Sequence, residues 1–304
     1  MDGILPLFKP KGMTSHDCVF KLRKMLKIKK IGHTGTLDPD VDGVLPICIG
    51  KATKVAEYIT EAGKTYEGQV TIGYSTTTED ASGDIVEQIS GTKKFTREEI
   101  VQVLHSFKGE IVQTPPMYSA VKVNGKRLYE YARQGIEVER PTRKVTIYSI
   151  DLLDDRNIFE GETVNFRFRV SCSKGTYIRT LAVMIGEKLG YPAHMSDLTR
   201  IQSAGFTLAD SWTFEQIQAM IDDETISEAL FPIEAALSHL PKYQLDDKVA
   251  EKVKNGAVLS TPKHLENLEG PVVFETKTGI ALAIYKLHPL KKGFMKPEKV
   301  LRNI

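Results

Sequence analysis

The sequence predicts an α+β protein built on a mixed sheet, and three observations lead there. Stretches of alternating polarity read as half-buried strands: in "TVNFRFRVSC" (163–172), Val164, Phe166, Phe168 and Val170 share one face. Helical stretches fall among these strands without the regular strand–helix alternation of a doubly wound fold. After Pro241 the chain turns to a short helix followed by β-rich sequence, which marks a small second domain.

The elements follow in order. "SHDCVFKLRKMLKI" (15–28) reads as an amphipathic helix, capped by Thr14 or Ser15, with Val19, Leu22 and Leu26 on one stripe and the bases opposite. "TYEGQVTIGY" (65–74) is β-like. "TREEIVQVLHSF" (96–107) opens with a capping box from Thr96 to Glu99 and continues as a helix. "KVTIYSIDLL" (144–153) and 163–172 are strands, and "TYIRTLAVMIGEKLG" (176–190) is a helix that stops at Gly190. Residues 207–240 read as acidic helices, "FEQIQAMI" and "ISEALFPIEAAL". A helix over 246–255 precedes the β-like "PVVFETKTGIALAIYKL" (271–287), which turns near Gly279.

Composition narrows the class. A length of 304 residues suits roughly two domains. Hydrophobic residues at 41% and charged residues at 26% suit a soluble globular chain able to bury a core. The longest apolar runs, such as "ALAIY", are far short of a membrane span, and the start lacks the basic region of a signal peptide. Three scattered cysteines, Cys18, Cys48 and Cys172, disfavour a disulfide framework or zinc site and favour the cytoplasm. The net charge of +2 points to no polyanion, yet the bases are clustered. Residues 9–30 hold eight lysines and arginines against Asp17, and 122–144 hold seven against three glutamates. The tail from Lys286 is basic as well. Such segments either form one positive face for phosphates or are solvated lysines.

One stretch carries the chemistry: "IGHTGTLDPDVDGVLPICIG" (31–50). Asp38, Asp40, Asp42 and Gly43 match the first half of a calcium loop, but its twelfth position, which needs a bidentate carboxylate, is Ile49. The alternative is a glycine-rich turn presenting His33 and Asp38, in which Gly32 and Gly35 allow unusual backbone angles and Pro39 keeps Asp38 extended. Local sequence alone favours an ordinary turn aspartate.

The same string resembles the GHTG-x-LDP…G-x-LP signature of the bacterial tRNA uridine-55 pseudouridine synthases, the TruB-type family. Further motifs appear in that family's order: "KPKGMTSHD" (9–17), "KTYEGQVTIGYSTTTEDASGDI" (64–85), "SKGTYIRTL" (173–181) and "AHMSDLTRIQSAGF" (193–206). "TPPMYSAVKVNGKRLYEYARQG" (114–135) resembles the RNA-clasping insertion of this branch. The resemblance implies a mixed, largely antiparallel sheet of the pseudouridine synthase fold flanked by helices and loops. It implies a catalytic domain over 1–240, with the insertion at about 114–144, and a PUA-like RNA-binding domain over 241–304. By that likeness Asp38 is the catalytic carboxylate, Tyr66 the active-site tyrosine and Arg179 the arginine paired with Asp38. His33, Tyr66, Asp80, Tyr177 and Leu198 contact the target uridine. Around Asp80 the match departs, with Glu79 before it and Ser82 where an acid is common. Lys9, Lys11, Lys122, Lys126, Arg127, Arg133 and Arg143 are the expected RNA-binding bases.

The implied reaction breaks the N1–C1′ bond, turns the uracil and joins C5 to C1′. It needs no redox partner, metal or nucleotide, so no cofactor is expected. Asp38 must be ionised, and a guanidinium within about 4–6 Å lowers a carboxyl pKa by roughly 1–3 units. The target base must first be flipped out of folded RNA. The expected partner is the tRNA T-arm, bound by a monomer with no protein or membrane partner. The competing readings are a non-catalytic tRNA-binding chaperone on the same scaffold and a synthase acting on another RNA.

Overall fold

The computed structural model describes residues 1–302. Its centre is a nine-stranded sheet. Strand β1 (Gly3–Lys9) leads to helix α1 (Ser15–Leu26), then β2 (Ile31–His33), β3 (Asp42–Ile49) and β4 (Lys64–Ile72). After helix α2 (Arg97–His105) come β5 (Gly109–Gln113), β6 (Arg143–Leu152), β7 (Val164–Cys172), helix α3 (Ile178–Leu189) and β8 (Ala193–Ser203). The strands lie in the order β1–β3–β8–β4–β7–β6–β5, with β2 also paired to β3 and Phe206–Thr207 to β8. Only β3 with β8 is parallel, so the expected mixed, largely antiparallel sheet is what forms.

Local chemistry sets the elements. The Thr14 hydroxyl accepts from Asp17 N–H at 3.0 Å and the Asp17 carboxylate accepts from Thr14 N–H at 2.9 Å, so Thr14 is the cap of α1. Thr96 and Glu99 do the same for α2. On β7 the alternation holds: Val164, Phe166, Phe168, Val170 and Cys172 are buried. They pack in one core with Ile100 and Leu104 of α2 and Leu181, Ala182 and Ile185 of α3. Each buried phenylalanine contributes about 1.5–3 kcal/mol of apolar transfer, and truncating Phe168 to alanine would cost roughly 3–5 kcal/mol.

Two expectations change. The stretch read as one acidic helix, "ISEALFPIEAAL", is broken into two short 3₁₀ turns, Ile226–Ala229 and Ile233–Leu237. Pro232 between them has no N–H to continue a helix, and Ile233, Ala236 and Leu237 instead pack on Ile4, Val44 and Ile59. The strand read over 65–74 ends at Ile72, and Tyr74–Thr76 pairs separately with Ile85–Gln88.

Past Pro241, strands Lys242–Gln244, Leu259–Ser260, Val272–Glu275, Ala281–Leu287 and Phe294–Val300 make a five-stranded sheet beside the helix Asp247–Lys254. It has a core of its own around Phe274 and Tyr285, whose rings stack at 4.3 Å. A second cluster, with Val273, Ala281, Ile284 and Leu301 against Ile4, Val44 and Cys48, fastens it to the β1–β3 side of the large sheet. Among the described residues no helix is long and apolar enough to cross a membrane.

Candidate active site

Asp38 stands on the loop between β2 and β3. That loop is held from beneath by the segment joining β1 to α1. Leu37 is buried, and its N–H donates to the Ser15 hydroxyl at 2.9 Å. Lys9, fully buried, donates to the carbonyls of Pro10 (3.0 Å), Pro39 (3.2 Å) and Val41 (2.6 Å). The expectation that Lys9 binds RNA is therefore corrected: all three of its donors are used inside the protein to shape the loop that carries Asp38. The other two aspartates separate from the first. Asp40 is exposed, while Asp42 opens β3 and accepts from the Thr199 hydroxyl at 2.6 Å. Among the described residues no three metal-ligating side chains converge, so the calcium reading has no site. Gly43, at φ +110°, is where β3 meets β8, and a Cβ there would lie 2.2 Å from the Arg200 carbonyl oxygen.

Arg179, from the first turn of α3, reaches the Asp38 carboxylate at 3.0 Å. Its other contacts lock the fork. Nη1 donates to Thr78 O at 3.0 Å and lies 3.4 Å from the Asp80 carboxylate, and Nη2 donates to Tyr118 O at 2.9 Å. A lysine could not span these acceptors, which lie on three separate loops. The Asp38 side chain is 44% exposed through the cleft mouth, yet its walls crowd it. Burial raises its carboxyl above the usual range, and Arg179 offsets only part of that rise. The sequence expectation weighed the guanidinium more heavily than the desolvation.

Asp38, Arg179, His33, Tyr66, Tyr177 and Leu198 all line one cavity of about 900 Å³. Asp80 lies in an adjoining hollow of about 480 Å³, which shares Asp38, Tyr118, Arg179 and Leu198 with the first. Asp80 is held by Thr78 and Ser82 hydroxyls at 2.6 Å each. Tyr66, inward on β4, is buried, and burial pushes its phenol up. Burial pushes the His33 imidazole down, so the ring is neutral at neutral pH, with its Nδ1 buried and without a hydrogen-bond partner.

The expected RNA-facing bases divide. Lys122 and Arg127 line the main cavity and Arg133 the adjoining hollow, and these three with Lys126 are exposed. Lys11 is half exposed and pairs with Asp197 at 2.5 Å. Arg143 lies over the Tyr177 ring at 4.7 Å and donates to Gly175 O at 3.2 Å, so it braces the pocket wall.

Sequence reasoning missed four contributors. Gln113, fully buried, clasps the Tyr177 backbone with both ends of its amide, at 3.0 and 3.1 Å. Glu79, at φ +62°, accepts from the Thr180 hydroxyl at 2.7 Å and so ties the Asp80 turn to α3. Lys64 and Arg200 line the main cavity from beneath. A signal existed for Lys64, since strand alternation puts it on the buried face of β4 with Tyr66. None existed for Gln113 or Glu79, whose partners are distant in sequence.

The model of the TruB family pseudouridylate synthase N-terminal domain matches residues 23–178, and that of the tRNA pseudouridylate synthase B C-terminal domain matches 179–238. A protein of Geobacillus thermodenitrificans named tRNA pseudouridine synthase B is 63% identical over 99% of this chain and 100% of its own length. A Bacillus cereus protein of the same name is 58% identical, covering 100% and 98%. Among solved structures, the crystal structure of a Cbf5-Nop10-Gar1 complex aligns at TM-score 0.76 and 31% identity, over 99% of this chain and 85% of that one. Likeness of this extent runs through every segment that builds the cleft, and the chain belongs to the TruB family of pseudouridylate synthases.

Proposed function

We propose that the chain isomerises uridine 55 of the tRNA T-loop to pseudouridine, working in the cytoplasm as a monomer. One observation carries this reading: a carboxylate held at 3.0 Å by a buried arginine, at a cavity large enough for a flipped nucleotide. Two relatives with the name tRNA pseudouridine synthase B, 63% and 58% identical, support tRNA as the substrate.

The residues divide the work. Asp38, ionised, attacks C1′, adds to C6 or takes the 2′ proton, and each route sets the uracil free of N1–C1′ or primes it to leave. Arg179 fixes the carboxylate's direction and favours its charge. Tyr66 and Leu198 hold the freed base against diffusion, and Tyr177 closes the wall that Gln113 and Arg143 brace. A phenol that burial keeps protonated serves Tyr66 as a ring surface more readily than as a resting base. A neutral His33 suits the place left by the extruded nucleotide, where stacking offsets part of the few kcal/mol spent on flipping. Lys122, Lys126, Arg127 and Arg133 meet phosphates. The sheet after Pro241 is the PUA-like domain, adding contacts to the same RNA.

A T-arm stem-loop tritiated at C5 of uridine 55 tests the reading. The protein is expected to release tritium to water, and Asp38→Asn to fold and release none. Turnover by Asp38→Asn, or release only from a second stem-loop tritiated at its other uridines, would refute it. Tight binding without release would make the protein a chaperone.

A further inference from the structure

Two cations in the main cavity have no part in the scheme above. Lys64 and Arg200 are 7% and 0% exposed. Lys64 Nζ donates to the carbonyls of Thr60 and Ala62, both at 3.0 Å. Arg200 Nε donates to Val44 O at 2.8 Å, and Nη2 reaches Gly35 O at 3.5 Å. Neither takes part in any of the ion pairs within 4.0 Å formed by the described residues. They end beneath the same turn: a Cβ built on Gly35 would meet Lys64 Cε at 3.4 Å and Arg200 Nη1 at 3.8 Å. They also flank Tyr66, Lys64 two residues earlier on the same strand face and Arg200 as its cross-strand partner. Burial, and then the Arg200 charge, lower the Lys64 amine to about 8. Buried charges lacking a counter-charge are costly to hold. Two of them beside one tyrosine form a place where an anion would be welcome.

We infer that Lys64 and Arg200 supply the positive charge that stabilises the uracil ring while it is anionic. The inference rests on the isomerisation proposed above. When N1–C1′ breaks, its electron pair stays with the uracil and spreads over N1, O2 and O4. The C5 pair then bonds to C1′, which neutralises the ring, and the C5 proton leaves to water while N1 takes one up, so that atoms and charge balance. If Asp38 adds first to C6, the displaced pair likewise lands on the ring. Negative charge exists there only between substrate and product, so fixed cations at that place stabilise the reaction path and not the ground state. The neighbouring Tyr66, on which the base is proposed to rest, puts the ring within their field.

The experiment compares stem-loops carrying uridine or 5-fluorouridine at position 55, in single turnover, reading loss of the starting nucleoside. Fluorine withdraws electrons and already stabilises the ring anion. Lys64→Gln keeps N–H donors for Thr60 and Ala62 and removes the charge, and Lys64→Arg keeps the charge. On uridine, Lys64→Gln is expected to react roughly 100-fold more slowly with unchanged RNA affinity, as when one oxyanion donor is lost. On 5-fluorouridine the deficit is expected to shrink to about tenfold or less, and Lys64→Arg to recover part of the rate. Arg200→Met is an independent second variant with the same expected pattern. Equal deficits on both substrates would mark a merely structural role and overturn the inference. Weaker binding with unchanged single-turnover rate would identify a phosphate contact and overturn it too. Failure of the unmodified protein to react would instead sink the isomerase reading.

Discussion

Replacing Arg179 by methionine removes the cation that pairs with Asp38. The Coulomb energy of unit charges 3.0 Å apart is about 1.4 kcal/mol in water and about 5.5 kcal/mol at an effective dielectric of 20. Because 44% of the Asp38 side chain is open to solvent, screening favours the lower of these two energies. The sign follows from the role. Asp38 works ionised, so the rate falls as pH drops through its pKa. Burial has already raised that pKa, and without Arg179 it rises further. Single-turnover tritium release, measured from pH 5 to 9 in steps, should show its acid limb displaced to higher pH in Arg179→Met. The plateau should also drop, since orientation is lost. A lower plateau with an unmoved acid limb would refute the electrostatic role and leave Arg179 as a strut between Thr78 and Tyr118.

Other expectations follow from the geometry. Lys9→Met leaves three carbonyl acceptors without their donor, so unfolding in denaturant should shift by about 3–5 kcal/mol. The affinity of the folded variant for tRNA at fixed salt should hold; weaker binding with unchanged stability would return Lys9 to the RNA surface. Gly43→Ala places a methyl against the Arg200 backbone at a positive φ, and should lower the melting temperature and abolish turnover together. A wild-type melting curve would contradict that contact. Binding of tRNA should weaken steeply with salt, and alanine at Lys126, Arg127 and Arg133 together should reduce the slope by about three counterions. An unchanged slope would place the phosphates elsewhere.

Much of this arrangement could be read from the chain. Alternation on β7 and the capping boxes at Thr14 and Thr96 are local, so the sequence displays them. Asp38, Tyr66 and Arg179 were legible through their motifs, and the fold brings all three to one cavity. Lys9 was misread because a lysine in a basic segment looks solvated unless its partners are known. Those partners, Pro39 and Val41, lie 30 and 32 residues away. How desolvation and the guanidinium balance at Asp38 was not legible, because the walls that crowd its carboxyl come from segments far apart in the chain. Pro232 was in plain view, and its effect on the acidic helix was a local rule left unapplied.

The parallel seam between β3 and β8 has a consequence for synthesis. Asp42 and Thr199, which bond across it, are 157 residues apart. At about 5–20 residues per second, a ribosome needs roughly 8–31 s to make the intervening chain. Through that interval the start of β3 lacks its β8 partner, with only Ile47–Ile49 already paired to β2 on that edge, and the open stretch is a natural place for a chaperone to hold. A nascent chain can therefore present the loop bearing Asp38 long before it can act, and a truncated product ending before residue 200 would be inert and prone to aggregate.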